Sequence, residues 1–426
     1  MTGFILFAVF IVLLVSGLPV AFCLLLSAIC SAIYTGIPLS IIFQRMFGGL
    51  DNFVLLAIPF FIFMGNIMEQ GGMAKKVVQF SNIIIGRIRG GLAGVNVLAS
   101  MFFAGISGSA VADTSSIGSM LIPMMNEEGY DKNFSAAITA TSSTIGLIIP
   151  PSNAIIIYSF AVGGLSVAKL FSAGIIPGIL VGLGLILTGY VISVKENYPS
   201  HPSPSIREAI RIVKETSLSL LLVVIIVGGI LGGVFTATEA AVFGVVYSFV
   251  ISFFVYKNLK IKDIPIILRK TIKTSAVVLI LLATSTAFSY ILSYERIPEL
   301  VCEVLINISD SKIVLLIIIN ILLLFVGTFM DMAPAILIFT PIFLPVVQAV
   351  GMDPIHFGIM LLVNLCVGLC TPPVGTVLFV AMGIAGTTMD KLIKYLFYFI
   401  IPMVAILLLI TYWPAVSMTI PNLLFK

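Results

Sequence analysis

Gly105-Ile-Ser-Gly-Ser-Ala-Val-Ala-Asp113-Thr-Ser-Ser-Ile-Gly118 interrupts one apolar run of the chain, and Ile149-Pro150-Pro151-Ser152-Asn153 interrupts the next. Both patterns return 222 positions later. Gly105 aligns with Gly327, Pro123 with Pro345, Gly129-Tyr-Asp131 with Gly351-Met-Asp353, and Gly146-Leu147 with Gly368-Leu369. Pro150-Pro151 then falls on Pro372-Pro373, Gly164 on Gly386 and Lys169 on Lys391, all without a gap. A constant offset from Gly105 through Lys169 marks a duplication whose two copies are broken in the same places.

The surrounding composition fixes the solvent. Hydrophobic residues make up 60% of the chain and charged residues 9%, with a mean hydropathy of +1.22. This lies far outside the soluble globular range, and the apolar runs are long enough to cross hydrocarbon repeatedly. The net charge of +4 is spread over many loops, so no basic domain offers itself to nucleic acid. Cys23, Cys30, Cys302, Cys366 and Cys370 sit mostly in apolar segments, and Cys366 and Cys370, which would share a helix face, read as packing residues. His201 and His356 are far apart, and no His-Glu-x-x-His helix or nucleotide-binding Gly-x-x-x-x-Gly-Lys loop occurs. No Lys or Arg precedes the first apolar run, so residues 1–33 read as mature membrane structure, not a signal peptide.

Thr2 to Tyr34 as one helix would reach ~50 Å, too long for one crossing. Gly17-Leu-Pro19 divides it into two antiparallel spans. Ile37 to Leu50 is amphipathic around Gln44 and Arg45, and Asn52 to Met68 is a span. Lys75 to Arg89 is a cationic arm leading into a re-entrant hairpin over about 92–125. A span over about 134–161 is unwound at its proline pair, and Val167 to Val194 crosses again. Residues 1–194 thus form the first repeat, and 195–216 form a polar linker. Residues 217–426 form the second repeat, with spans Leu218 to Phe235 and Ala240 to Tyr256 meeting at Thr236-Ala-Thr-Glu239. A cationic arm helix, Lys257 to Lys273, precedes a span from Thr274 to Tyr294. A second hairpin over about 314–350, an unwound span over about 355–385 and a last span from Tyr395 to Trp413 complete it. Tyr412 and Trp413 read as interfacial anchors.

Five crossings per half is an odd number, so the halves are inverted relative to one another. With the amino terminus outside, 17 of the 22 Lys and Arg residues fall on inner loops. Only Arg45, Lys169, Arg296, Lys312 and Lys426 fall outside. This positive-inside asymmetry supports the arrangement. The expected fold is an all-α polytopic membrane protein: an inverted repeat of five spans plus one re-entrant helical hairpin per half. Inverted repeats with broken helices near the midplane describe a secondary transporter.

A proline pair inside a span removes amide donors and frees carbonyls one turn earlier, so the break must line a polar cavity or contact protein. Freed carbonyls and hydroxyls suit a hard monovalent cation. The half-helix after Pro151 aims its positive end, with Ser152 and Asn153, at the centre. The first hairpin tip brings Ser107, Gly108 and Ser109 to the same depth, and the second copy supplies Gly327, Asp331, Thr371, Gly375 and Thr376. Two cation cages with an anion between them is the sharp expectation; kinking and close packing is the plain one. Asp113 and Asp331 sit at corresponding breaks, four positions out of register. Asp113 is either a coupling carboxylate or a helix cap. Glu239 is either structural or part of transport.

These motifs resemble the large membrane subunit of tripartite ATP-independent periplasmic (TRAP) transporters. The resemblance runs over essentially the whole chain and is carried by Ala57-Ile-Pro-Phe-Phe-Ile-Phe63-Met-Gly-Asn, Gly105 to Asp113 and Ile149-Pro-Pro-Ser152. Phe235-Thr-Ala-Thr-Glu239, Met330-Asp331-Met-Ala-Pro334 and Leu369-Cys-Thr-Pro-Pro-Val-Gly375 complete it. It implies an elevator-type fold of the ion transporter superfamily, driven by two or more Na+ ions and needing no organic cofactor. Hairpins and unwound spans would move against a scaffold of the remaining spans and arms. The implied partners are a separate small four-helix membrane subunit, a periplasmic substrate-binding protein and an organic acid such as a C4-dicarboxylate or sialic acid. The implied location is the bacterial inner membrane with the amino terminus periplasmic. The first sodium cage would use Ser107, Gly108, Ser109, Ile149 and Pro150. The second would use Gly327, Asp331, Thr371, Pro372, Gly375 and Thr376. A substrate carboxylate would lie near Ser107, Ser152 and Asn153. The rival readings are a stand-alone sodium-coupled anion symporter, a channel, and an intramembrane aspartyl protease using Asp113 and Asp331; the last lacks a Gly-x-Gly-Asp motif.

Overall fold

Proline and glycine decide where the helices stop. The computed structural model describes residues 2–200, 205–309 and 311–425, without the side chains of residues 104–107, and every regular element among them is helical. Helices α1 (Thr2–Val15) and α2 (Val20–Thr35) turn back on each other where Gly17 takes φ +84° and Pro19 sets the entry to α2. The amphipathic α3 (Leu39–Leu50) lies against a later span, with the Arg45 guanidinium 4.7 Å from the Tyr290 ring centroid. Asn52 then caps a short 3-10 turn that opens α4 (Ala57–Gln70), and α5 (Met73–Ile85) is the first cationic arm. The first hairpin is α6 (Gly91–Ser107) and α7 (Ala110–Glu127). The unwound span is α8 (Lys132–Ser143), a 3-10 turn, the cis Pro150–Pro151 bond and α9 (Asn153–Ala161), followed by α10 (Val167–Lys195).

The second half opens with α11 (Ile206–Leu231), which begins inside the stretch read as linker. Ser205 caps it by accepting from the Glu208 amide, and Glu215 pairs with Lys76 of α5. Next comes α12 (Ala237–Val250). Thr236 and Glu239 form a reciprocal capping box there, with the Glu239 carboxylate accepting from the Thr236 amide at 2.8 Å. Glu239 therefore has a structural task. The expected division between an arm ending at Lys273 and a span starting at Thr274 does not occur. One helix, α13 (Ile264–Tyr294), runs through both, because no glycine or proline lies between them to stop it. An unexpected arm, α14 (Ile297–Ile308), follows, and Pro298 opens it at its first turn.

The second hairpin is α15 (Lys312–Phe329) and α16 (Met332–Ala349). Its tip is only Met330 and Asp331, so Gly327 is still helical. The second unwound span is α17 (Pro354–Leu369), the cis Pro372–Pro373 bond and α18 (Thr376–Ala385). It leads to α19 (Met389–Tyr412) and a terminal α20 (Ala415–Leu424) beyond the last expected span.

The duplication survives as internal symmetry. The Cys366 thiol donates to the carbonyl of Thr144, its counterpart 222 positions earlier, at 3.3 Å. A residue can touch its own counterpart only near the axis relating the halves, so the two unwound spans pack back to back there. Each hairpin is tied to its unwound span by buried amides. Ser142 donates to Asn96 at 3.1 Å in the first copy, and Asn364 donates to the Asn320 carboxamide at 2.8 Å in the second. Such bonds replace water that a bilayer cannot provide.

Gly327 marks where α15 crosses α17. A Cβ at Gly368 would sit 2.6 Å from the Gly327 Cα, and one at Gly327 would sit 3.0 Å from the Gly368 Cα. Overpacking of this kind costs about 1–3 kcal/mol. Gly368→Val is expected to lower the midpoint of thermal unfolding in detergent and broaden the size-exclusion peak; an unchanged midpoint would mean the helices can part without penalty.

Candidate functional site

The broken helices converge on one cavity of about 480 Å³. On one side it is lined by Ser109, Ala110, Val111, Leu147 and Ala154 of the first copy. Facing these are Asp331, Met332, Ala333, Leu369 and Thr376 of the second. Each of the first five is matched by the residue 222 positions on, so the cavity lies across the internal symmetry axis. Its other wall comes from α4 and α13, with Ile58, Ile62 and Val277 beside Lys273 and Thr274.

Local chemistry places each group. Gly108 turns the first hairpin at φ +64°, and the Ser109 hydroxyl then caps α7 by accepting from the Ala112 amide at 3.3 Å. Ser109, not Asp113, is thus the cap, and it rather than Asp113 is the counterpart of Asp331. The tip rests on the start of α9, where a Cβ on Gly108 would lie 2.1 Å from Asn153 Nδ2. Asn153 is buried, and its Oδ1 has no hydrogen-bond partner among the described residues. In the second copy the Gly375 amide donates to the Thr328 carbonyl at 3.2 Å, joining hairpin to unwound span. Thr376 Oγ1 beside it is buried without a partner among the described residues.

Gly108, Ser109, Asn153, Asp331 and Thr376 therefore meet at the cavity. Others proposed from sequence stand behind it. The Ser152 hydroxyl donates to the Leu147 carbonyl at 2.6 Å and caps α9, so it holds the connection. Thr371 donates back to the Val367 carbonyl at 2.7 Å. Ile149 packs on Gly178 of α10, Gly327 lies in the helix crossing, and Pro150 and Pro372 form the turns without lining the cavity. The Ser107 side chain lies outside the described residues.

The sequence left two roles open for one residue and placed another away from the site. Asp113 is fully buried one turn into α7 near the Ser100 hydroxyl, and no described group meets regular hydrogen-bond geometry with either carboxylate oxygen. A buried carboxylate in that position is held either protonated or beside a cation. Lys273 looked like one more inner-loop cation. The continuity of α13 carries it to the cavity wall, where it supplies the only lysine or arginine among the described lining residues. Together the walls bring an amide, a hydroxyl, a carboxylate and a lysine to one cavity, a set suited to holding an anion beside a small cation.

The family described as "Tripartite ATP-independent periplasmic transporter, DctM component" matches residues 7–416. The chain is 44% identical to "Uncharacterized protein YgiK" of Salmonella typhimurium, over 98% of this chain and 97% of the other. It is 37% identical, across the full length of both, to "C4-dicarboxylate TRAP transporter large permease protein DctM" of Rhodobacter capsulatus. It is 38% identical, over 96% of both, to "Sialic acid TRAP transporter large permease protein SiaM" of Vibrio cholerae. Among solved structures, the Alcanivorax borkumensis YdaH transporter superposes with a TM-score of 0.64 at 16% identity, covering 88% of each chain.

Proposed function

The chain belongs to the DctM component family of tripartite ATP-independent periplasmic transporters, a permease and not an enzyme, and from that premise we propose that it carries an organic acid inward on a sodium gradient. The observation that carries the reading is the cavity lined by paired positions of both repeats, with Asn153, Asp331, Thr376 and Lys273 all in its lining. Substrate carboxylate would lie between the Asn153 amide and the Lys273 ammonium. Sodium would sit on the hairpin side, held by oxygens of the 107–109 tip, the Ile149–Pro150 turn and Asp113 in one copy. In the other copy Asp331, Thr376 and the 371–375 connection would hold it. The names of the relatives point to the C4-dicarboxylate and sialic acid classes. A small membrane subunit and a periplasmic binding protein would complete the system in the inner membrane. Hairpins and unwound spans would move as one body against α4 and α13.

Uptake into proteoliposomes holding the large subunit, the small subunit and the binding protein tests this. Uptake is expected with sodium outside and to fall at least tenfold when potassium replaces it; equal rates in both salts would remove sodium coupling. Purification alone separates this from a stand-alone symporter, since a small membrane protein should follow the large subunit through detergent. Lys273→Gln is expected to raise the substrate KM about three- to tenfold with little change in kcat, the loss of one charge-assisted bond. An unchanged KM would place the anion away from α13.

A further inference from the structure

A second cavity, of about 490 Å³, lies between α10 and α19 and is not part of the transport site. Its walls are apolar along most of their length, with Leu187 and Val191 on α10 and Ile401 and Pro402 on α19. Leu187, Val191 and Ile401 are each more than half exposed, as on a surface meant for hydrocarbon. The character changes at one end. Lys195 closes the groove from the carboxyl end of α10, and Lys394 closes it from the second turn of the antiparallel α19. Neither lysine makes an ion pair or hydrogen bond among the described residues; Lys394 Nζ sits 5.9 Å from the Tyr395 ring centroid, and Tyr398 lines the same end. Glu196 also lines this end, leaving the headgroup region one positive charge in excess. From the lysines to Leu187 and Pro402 is eight residues on each helix, about 12 Å of apolar depth below two cations.

We propose that this groove is a specific site for a phospholipid with an anionic headgroup. The phosphodiester would bridge Lys195 and Lys394, headgroup hydroxyls would donate to Glu196, and one acyl chain would lie along Val191 and Ile401. Paired cations at the mouth of an apolar groove between spans are the chemistry that recognises such a headgroup. The tyrosines sit where an aromatic ring straddles the interface. α10 and α19 each follow an unwound span, so the lipid would be held by corresponding helices of the two repeats.

The test uses the full-length protein in detergent, with phosphatidylglycerol, phosphatidylethanolamine and phosphatidylcholine added in turn, and native mass spectrometry to read the bound lipid. Phosphatidylglycerol is expected to bind at least tenfold more tightly than either zwitterionic lipid. Lys195→Gln with Lys394→Gln should remove that preference, and Lys257→Gln with Lys260→Gln should leave it intact. Val191→Trp, which fills the apolar part and keeps both lysines, should also weaken phosphatidylglycerol binding. Equal binding of all three lipids, preference for phosphatidylethanolamine, unchanged binding in the Lys195/Lys394 variant, or equal loss in the Lys257/Lys260 variant would each overturn the proposal. The readout is independent of transport, so it stands or falls separately from the proposed function.

Discussion

Gly108→Val is expected to reduce uptake at least a hundredfold while leaving the helical fold and the amount of protein in the membrane close to normal. The residue adopts φ +64°, where a side chain costs roughly 1–2 kcal/mol and a β-branched one more. The added Cβ would also stand 2.1 Å from Asn153 Nδ2, so the hairpin tip must lift from the start of α9. That displacement separates the Ser109 side of the cavity from the Asn153 side. A misplacement of about 1 Å can cost a hundredfold. Folding is affected less, because the arms of the hairpin are held elsewhere, by Asn96 to Ser142 and by Thr114 to Ser143 at 2.7 Å. Gly108→Ala should lie between the two, since it meets the same strain with a smaller group. Wild-type uptake in the valine variant would show that the tip does not close on α9 during transport.

Asp113→Asn is expected to raise the sodium concentration for half-maximal uptake tenfold or more, with the substrate KM measured at saturating sodium changed far less. The carboxylate is fully buried and meets no described group in regular hydrogen-bond geometry, unlike Asp131 and Asp353, which accept amides at the starts of α8 and α17. Asparagine keeps the volume and removes the charge, so a purely space-filling role would leave sodium dependence untouched. An independent readout is thermal stability. A bound ion stabilises by RT ln(1 + [L]/Kd), so exchange of potassium for sodium should raise the unfolding midpoint of the wild type and fail to do so in Asp113→Asn. The same sodium response in both proteins would move the ion away from α7.

Much of this architecture could be read before any coordinates. The 222-residue offset located both hairpins and both unwound spans to within a few residues, because glycine and proline act on the backbone of their own neighbourhood. The same local logic failed where nothing local marks the boundary. It divided α13 at Lys273; separately, it missed α14 and α20, although Pro298 and Pro414 mark their starts. It set Asp113 and Asp331 at corresponding breaks four positions out of register, whereas the constant offset pairs Asp331 with Ser109. Counting from the glycines would have found that pair.

By itself, then, the sequence determined the membrane as solvent, the duplication and the points at which each copy is broken. Those depend on composition, on spacing and on two residues whose backbone preferences survive any context. Tertiary structure alone decided which of the polar groups are free. Ser152 and Thr371 spend their hydroxyls on the Leu147 and Val367 carbonyls, whereas Thr376, Asn153 and Asp113 keep oxygens without a regular hydrogen bond among the described residues. Lys273 reaches the cavity through the rotation of a 31-residue helix. Hydrogen-bond partners and helix facing are set by what packs alongside, and a linear chain does not contain its neighbours until it has folded.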